Sequence, residues 1–173
     1  ACQSCYKLIK EKSPKYKVKS LWTVIGELGI PEGTNKIGIN SDIVFSIHDS
    51  CPTRYNTEIQ DSIRFIIKEL GYKWQESDIS RHNTSCCGMG GMIMPLNKKL
   101  FKKIAANTAK SLKQEHVITY CASCRDAMIL SGKKSIHILD LIFNKDLSFQ
   151  GVNKTAVNWI NRCKTKIMAK KEM

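Results

Sequence analysis

The sequence predicts an α/β fold with a mostly parallel open sheet, helices on both faces, and a metal site at the carboxyl-terminal rim of the strands. Short apolar runs alternate with longer segments of helical period, as in parallel sheets. The chain has 173 residues, 42% of them hydrophobic, which suits one domain with a buried core. Cysteines follow two of the predicted strands, at the end of the sheet where open parallel sheets bind ligands.

The predicted elements follow in chain order. Four short apolar runs are predicted strands, at 42–47, 72–74, 117–120 and 135–138. Helices are predicted at 58–70, 97–113, 123–130 and 153–170, with one helical turn at 139–143. In the first of these helices Ile59, Ile63 and Ile66 recur at helical spacing, and Gly71 supplies a stop. Asn97 is suited to cap the second.

Five cysteines dominate the chemistry of the chain. They are Cys51, Cys86, Cys87, Cys121 and Cys124, in the pattern C-x34-CC-x33-C-x2-C. Vicinal cysteines rarely reach disulfide geometry, and a C-x-x-C pair presents two thiolates on one turn to a metal. These soft ligands indicate an iron–sulfur cluster or zinc. A metal-free thiol redox enzyme that uses Cys121 and Cys124 is a third interpretation, but it leaves the vicinal pair unexplained.

Three motifs around these cysteines carry a family resemblance. They are His48-Asp49-Ser50-Cys51-Pro52, Cys86-Cys87-Gly88-Met89-Gly90-Gly91 and Cys121-Ala122-Ser123-Cys124. The chain resembles the cysteine-rich CCG domain of heterodisulfide reductase. Similar domains occur in the iron–sulfur subunits of anaerobic glycerol-3-phosphate dehydrogenase, glycolate oxidase and lactate-oxidising complexes. The resemblance is clearest over residues 42–143.

The resemblance implies a 4Fe-4S cluster of non-cubane type, held by all five cysteines as metal ligands. It implies a redox subunit of an anaerobic oxidoreductase complex, which delivers electrons or cleaves a disulfide. Some relatives hold zinc in one of their two domains, so a zinc-binding structural or assembly module without a redox role is the alternative. In an isolated fragment handled in air, we expect the metal site to be empty.

An internal repeat indicates that a similar domain precedes this one. The C-x-x-C at Cys2 is followed by an apolar segment, and so is the C-x-x-C at Cys121. We therefore expect residues 1–30 to be the tail of a truncated upstream CCG repeat. Residues 31–173 are then the complete CCG domain with its C-terminal helix. In this interpretation Cys2 and Cys5 are orphaned thiols that lie away from the other five cysteines.

Four further residues have simpler interpretations. Cys163 lies in the predicted C-terminal helix and is expected to be a small core residue. His48 directly follows a predicted strand and is expected to be structural. Arg54 and Arg125 lie close to predicted ligands in the sequence, so we expect them to lower thiolate pKa values or to offset the charge of a cluster.

The net charge of +13 limits the choice of partners. Lysines far outnumber arginines and no aromatic-basic motif is present, so no nucleic-acid binding is expected. The charge suits an acidic partner or an anionic membrane face. No apolar run reaches the roughly 18 residues of a membrane span, and the cysteine usage suits a reducing compartment. We expect a cytoplasmic protein that binds the upstream domain and other subunits of an oxidoreductase complex, with peripheral membrane association through them as an open alternative.

Overall fold

The computed structural model describes residues 2–144 and 146–172, which form a parallel sheet flanked by helices. The strands in this part of the chain are β1 (Val44–His48), β2 (Lys73–Gln75), β3 (His116–Thr119) and β4 (Lys134–His137). Its α-helices are α1 (Gln3–Lys12), α2 (Leu21–Leu28), α3 (Thr57–Glu69), α4 (Ile93–Leu96), α5 (Lys98–Ser111), α6 (Ala122–Leu130), α7 (Ile138–Phe143) and α8 (Thr155–Glu172).

The sheet has the strand order β2-β1-β3-β4, and every neighbouring pair is parallel. The strands β1 and β3 lie at the centre, with His48 opposite Thr119 at their carboxyl ends. Successive side chains of a strand point to opposite faces. Phe45 and Ile47 therefore face one apolar cluster, whereas Ser46 and His48 face the other side of the sheet.

Helices cover both faces of the sheet. On one face α2, α3 and α7 pack against the strands through fully buried side chains such as Trp22, Ile63 and Ile138. On the other face α5 and α6 pack through Phe101 and Met128. A parallel sheet needs this cover because both of its faces are apolar. The predicted fold class, an α/β open parallel sheet with helices on both faces, is confirmed.

The predicted elements differ from the observed ones mainly at their ends. Asn97 caps α5 as predicted, because its side chain accepts a hydrogen bond from the Leu100 amide at 2.9 Å. Asn56 caps α3 in the same way through the Ile59 amide. The first strand extends one residue further than predicted and ends at His48. This difference places His48 inside a central strand, where the pleat fixes the direction of its side chain.

Helix α8 does not pack against the sheet. Its side chains from 156 to 170 are exposed, and Cys163 is exposed with them. The prediction that Cys163 is a core residue is wrong, because helical periodicity shows which side of a helix is apolar but not what that side contacts. Neither α8 nor any other helix in the described ranges 2–144 and 146–172 is long and apolar enough to cross a membrane.

The N-terminal helices pack onto the same domain as the sheet. Trp22 of α2 is fully buried, and its ring lies edge-on to Tyr120 with centroids 6.2 Å apart. Cys2 is the N-cap of α1 and Cys121 is the N-cap of α6, so both C-x-x-C motifs begin at the start of a helix. The assignment of residues 1–30 to an upstream repeat stays a prediction.

Replacing Trp22 with alanine should lower the free energy of unfolding of the metal-free protein by about 3–5 kcal/mol, because a fully buried ring leaves a cavity. Trp159 is 63% exposed on α8. Trp159→Ala is therefore the matched control and should change the same free energy by less than about 0.5 kcal/mol. Urea unfolding followed by circular dichroism measures both. Wild-type stability in Trp22→Ala would show that α2 is not part of the folding unit.

Candidate metal centre

The five predicted cysteine ligands surround the point where the winding of the sheet changes direction. From β1 the chain passes to β2 on one side, and it then returns to β3 on the other side of β1. Open α/β sheets bind ligands in the crevice at the carboxyl ends of two such strands. Cys51 follows β1 and Cys121 follows β3. The fold therefore brings two motifs that are distant in the sequence to one crevice.

The segment between β2 and α5 carries the vicinal pair to this crevice. Sγ of Cys86 lies 4.0 Å from Sγ of Cys51, and Sγ of Cys87 lies 3.3 Å from Sγ of Cys124. The two neighbouring thiols thus have different partners, as expected of vicinal cysteines that do not bond to each other. All eight cysteines of the chain are free.

The glycine of the vicinal motif is required by the backbone. Gly88 has a φ of 80°, which glycine adopts without strain. A Cβ at this position lies only 3.1 Å from Cγ2 of Ile104 and 3.3 Å from Phe101. The Gly88 amide donates a hydrogen bond to Sγ of Cys86 at 3.3 Å, and the hydroxyl of Thr108 donates to the Cys86 carbonyl at 2.9 Å. Helix α5 therefore anchors this turn.

The thiols of the crevice differ strongly in acidity. The single thiol proton of Cys124 lies between two neighbouring sulfurs, and it is the leading cause that lowers the pKa of Cys87 to about 4 and the pKa of Cys121 to about 6. These hydrogen bonds raise the pKa of Cys124 itself well above its usual value. Burial, followed by the proximity of Cys86, raises the pKa of Cys51 to about 12. At neutral pH the metal-free site therefore offers two thiolates, which are the metal-binding form.

The two arginines near the cysteines hold loops in place. Arg54 donates to the carbonyl of Thr84 at 2.7 Å, and Arg125 donates to the carbonyl of Gln150 at 2.7 Å. The main causes of the thiol pKa shifts are burial and hydrogen bonds among the cysteines. Neither Arg54 nor Arg125 is among the main causes of the thiol pKa shifts, in contrast to our expectation. The reason is that nearness in sequence does not fix the direction in which a guanidinium points.

Asp49 joins the segments that carry the cysteines. Its carboxylate accepts two hydrogen bonds from Arg64 at 2.7 and 2.8 Å, one from the Tyr120 hydroxyl at 3.0 Å and one from the Arg81 amide at 2.7 Å. Its carbonyl accepts from the Thr84 hydroxyl at 2.8 Å. Burial alone raises the pKa of Asp49, but Arg64 outweighs it and holds the pKa below the usual value. Sequence reasoning gave Asp49 no role of its own.

His48 lies with two of the cysteines. One ligand atom from each of His48, Cys87 and Cys124 lies within 4.8 Å of the other two, and all three residues are buried. The structure thus places His48 at the candidate metal site, although the sequence favoured a structural role. Its position three residues before Cys51 indicates nearness to the site. The face of the sheet on which its ring lies depends on where β1 ends.

Several buried polar atoms around the cysteines lack partners. Within the described residues, Nε2 of His48, Oγ of Ser50, Nε of Arg54 and Nε of Arg125 are buried without a hydrogen-bond partner. His48 is grouped with Cys87 and Cys124, Ser50 and Arg125 line a cavity with Cys121, and Arg54 lines a second cavity with Cys51 and Cys86. Native folds pair nearly all buried polar groups, and metal–sulfur centres use hydrogen bonds from such groups. The donors and thiolates present therefore fit a metal–sulfur group.

The start of α1 lies at the same crevice. A cavity of about 640 Å³ is lined by residues that include Cys2, Ser50, Cys121 and Arg125, and the charge of Cys121 acts on the pKa of Cys2. The expectation that Cys2 lies away from the other cysteines is therefore wrong. Its neighbour Cys5 is exposed. The packing of α1 against the loop after β1 is a tertiary contact, which the repeat pattern did not reveal.

The structure places every predicted ligand at the crevice. Cys87 and Cys124 are buried, whereas Cys51, Cys86 and Cys121 are partly exposed. That all five bind one metal centre stays a prediction.

Replacing Asp49 with asparagine should lower the free energy of unfolding at neutral pH by up to about 3 kcal/mol, because buried Arg64 loses one of its two charged partners and keeps only Glu76. The matched control is Asp61→Asn, which removes an exposed partner of Arg81 and should cost less than about 1 kcal/mol. Chemical denaturation measures both variants. Equal effects of the two substitutions would contradict the central role of Asp49.

The pH dependence of stability gives a second test of Asp49. Its pKa is lower in the folded than in the unfolded protein, so its stabilisation is fully present above the usual pKa of 3.8. This stabilisation is lost as the pH falls through the folded pKa. The stability difference between the wild type and Asp49→Asn should therefore shrink as the pH falls below 3.8. A difference that grows towards acid pH would show that the carboxylate is not stabilised by folding.

Iodoacetamide should modify Cys121 faster than Cys51 in the metal-free protein at neutral pH, because the thiolate is the reacting form. Both side chains are partly exposed, so access alone does not separate them. With a pKa of about 6, the Cys121 rate should fall about tenfold between pH 7 and pH 5. With a pKa of about 12, Cys51 should stay slow at both values. Mass spectrometry of digests measures each site, and equal rates at neutral pH would refute the assigned thiolate.

Comparison with known proteins agrees with this site. A family model described as a cysteine-rich domain, CCG, matches residues 45–129, which confirms the family predicted from the three motifs. The matched segment begins in β1, ends in α6 and contains the five cysteines of the crevice. No curated protein and no solved structure matches the chain. The family match and the grouping of His48 with two cysteines both support a metal-binding site. Residues 45–129 of this chain belong to the cysteine-rich CCG domain family.

Proposed function

We propose that this domain binds an iron–sulfur cluster through Cys51, Cys86, Cys87, Cys121 and Cys124 and acts as a redox subunit, or part of one, in an anaerobic oxidoreductase complex. The observation that carries the proposal is the meeting of five thiols at one crevice, with two of them held as thiolates. A single tetrahedral zinc ion takes four ligands, whereas a multi-iron cluster of non-cubane type can bind all five cysteines.

The residues of the crevice prepare the ligands for a metal. A bound 4Fe-4S cluster supplies one-electron transfer, at a potential set by charge, hydrogen bonds to sulfur and solvent exposure. Cys87 and Cys121 are deprotonated in advance. Cys51 and Cys124 hold their protons in the metal-free protein and release them when they bind, so metal affinity rises with pH. The Gly88 amide adds a hydrogen bond to a ligand sulfur.

The exposure of the crevice suits exchange of electrons with a partner. Cys51, Cys86 and Cys121 keep part of their surface accessible, while Cys87 and Cys124 lie beneath them. A centre that gives or accepts electrons needs such an accessible edge. A purely structural site has no need of one.

Two redox roles are consistent with this geometry. One is cleavage of a substrate disulfide, as in heterodisulfide reductase. The other is passage of electrons from a flavin partner towards a quinone, as in the dehydrogenase-type relatives. The partners in both roles are other subunits of the complex and an upstream CCG domain. The charge of +13 favours a partner with an acidic face, or an anionic membrane face.

A structural zinc site is the second candidate, and one observation favours it. His48, Cys87 and Cys124 form a compact buried group of three donors, and structural zinc sites combine cysteine with histidine. A fourth ligand from Cys121 completes the set of four that zinc requires. In this role the site stabilises the fold or an assembly interface and has no redox function.

Anaerobic reconstitution with iron and sulfide should give a brown protein with visible charge-transfer absorption and about four iron and four sulfide per chain. Cys87→Ser should lose most of this absorption, because it removes a ligand that is already a thiolate. Cys163→Ser is the matched control and should keep it, because Cys163 is exposed on α8. Iron, sulfide and zinc analysis with optical spectroscopy measures the outcome.

The results separate the two candidates. One zinc per chain, no colour after reconstitution and loss of zinc in Cys87→Ser would establish the structural site and overturn the cluster. Equal loss of absorption in Cys163→Ser and Cys87→Ser would refute the proposed ligand set.

A further inference from the structure

His48 is a buried imidazole beside two sulfurs of the crevice. One of its ring nitrogens lies within 4.8 Å of Sγ of Cys87 and Sγ of Cys124, and these two sulfurs are 3.3 Å apart. Around a tetrahedral metal with bonds of about 2.0–2.3 Å, neighbouring ligand atoms lie roughly 3.3–3.8 Å apart. The separation of the two sulfurs therefore falls in this range, and the separations from the His48 nitrogen exceed it by at most about 1 Å.

The backbone holds this imidazole in place. His48 is the last residue of β1 and lies opposite Thr119 of β3. Because β1 pairs with β2 as far as Ser46 and with β3 as far as His48, the strand cannot rotate to turn the side chain to the other face of the sheet. The next residue, Asp49, is fixed by Arg64. The direction of the ring is thus set by the fold before any metal binds.

The ring is left with an unmet requirement. His48 is 1% exposed, and its Nε2 makes no hydrogen bond of ordinary geometry within the described part of the chain, although the ring lies near enough to help lower the pKa of Cys87. A buried polar atom without a partner costs about 1–3 kcal/mol, and native structures rarely contain one. A metal held by the ring and the two sulfurs would remove this energetic cost, because it would give the imidazole nitrogen the partner that the surrounding protein does not supply.

We propose that His48 supplies a nitrogen ligand to the metal of this site, together with Cys87 and Cys124. The inference rests on the proposed metal binding and applies to an iron–sulfur cluster and to zinc alike, because imidazole nitrogen binds both metals. It adds a nitrogen donor to the five cysteine ligands that the family resemblance implies. A neutral imidazole adds no negative charge to an iron–sulfur centre, so the reduction potential is higher than it would be with a further thiolate at this position.

Isotope labelling of histidine tests the ligand without altering the protein. Wild-type protein is prepared with 14N- or 15N-histidine and reconstituted, and pulsed EPR is recorded on the reduced cluster. Cobalt(II) replaces zinc if metal analysis finds a zinc protein. The expected result is a strong nitrogen coupling that changes with the histidine isotope. Metal bound without any histidine coupling overturns the inference, whereas absence of bound metal overturns the proposed function.

Two variants identify which histidine is responsible. His48→Gln should abolish the histidine coupling and weaken metal binding by at least about tenfold. His48→Cys should recover metal binding, because a thiolate replaces the nitrogen, but it should still lack the coupling. The control is His116→Gln at the opposite end of β3, which should leave both quantities unchanged. A histidine coupling that persists in His48→Cys would assign the ligand to another residue and overturn the inference.

Discussion

The ion pair between Asp49 and Arg64 is the interaction on which the crevice depends. Arg64 reaches from α3 to the end of β1, and it also donates two hydrogen bonds to Glu76 beyond β2. Asp49 and Arg64 are both buried. Removal of Arg64 leaves the Asp49 charge uncompensated in the interior, whereas removal of Asp49 leaves Arg64 with Glu76 as its remaining charged partner. Because Asp49 also accepts hydrogen bonds from the Tyr120 hydroxyl and the Arg81 amide, a single carboxylate fixes the segments that precede all three cysteine motifs.

The topology of the sheet then determines which ligands meet. Neighbouring strands lie about 4.8 Å apart, a separation that cysteine side chains on the following loops can bridge. Cys51 and Cys121 leave adjacent strands at the same edge. The vicinal pair has no strand of its own to deliver it, so its position depends on anchors: the left-handed backbone of Gly88 and the hydrogen bond from Thr108. The vicinal pair is therefore positioned by its own turn, and the conformation of that turn requires the glycine that follows the two cysteines.

The sequence was a good guide wherever the determining forces are local. Caps such as Asn97 and the periodicity of the helices depend on nearby residues, and the end of a parallel strand is enough to place Cys51 and Cys121 at one edge. The site residues that escaped prediction depend on tertiary contacts. To predict the role of His48, the end of β1 would have to be known to one residue, because successive side chains of a strand point to opposite faces of the sheet. The prediction for Cys2 was wrong because a sequence repeat does not show how α1 packs. The prediction for Cys163 was wrong because an apolar stripe on a helix does not show what the stripe contacts.

The way the crevice stabilises negative charge favours a metal as its counter-charge. The pKa of Cys121 is lowered first by Cys124 and then by amide N–H groups of Cys124 and Ser123 at the start of α6, where the helix dipole is positive. The pKa of Cys87 is lowered first by the hydrogen bond from Cys124, then by the nearby His48 ring, and by the Met89 amide. The contacts from Cys124 and from the amides are hydrogen bonds rather than ion pairs with arginine or lysine. They lower the free energy of the thiolates without neutralising them, so the attraction for a cation remains. A metal that replaced the Cys124 proton would satisfy that attraction, and Cys87, Cys121 and Cys124 would be the residues that hold it.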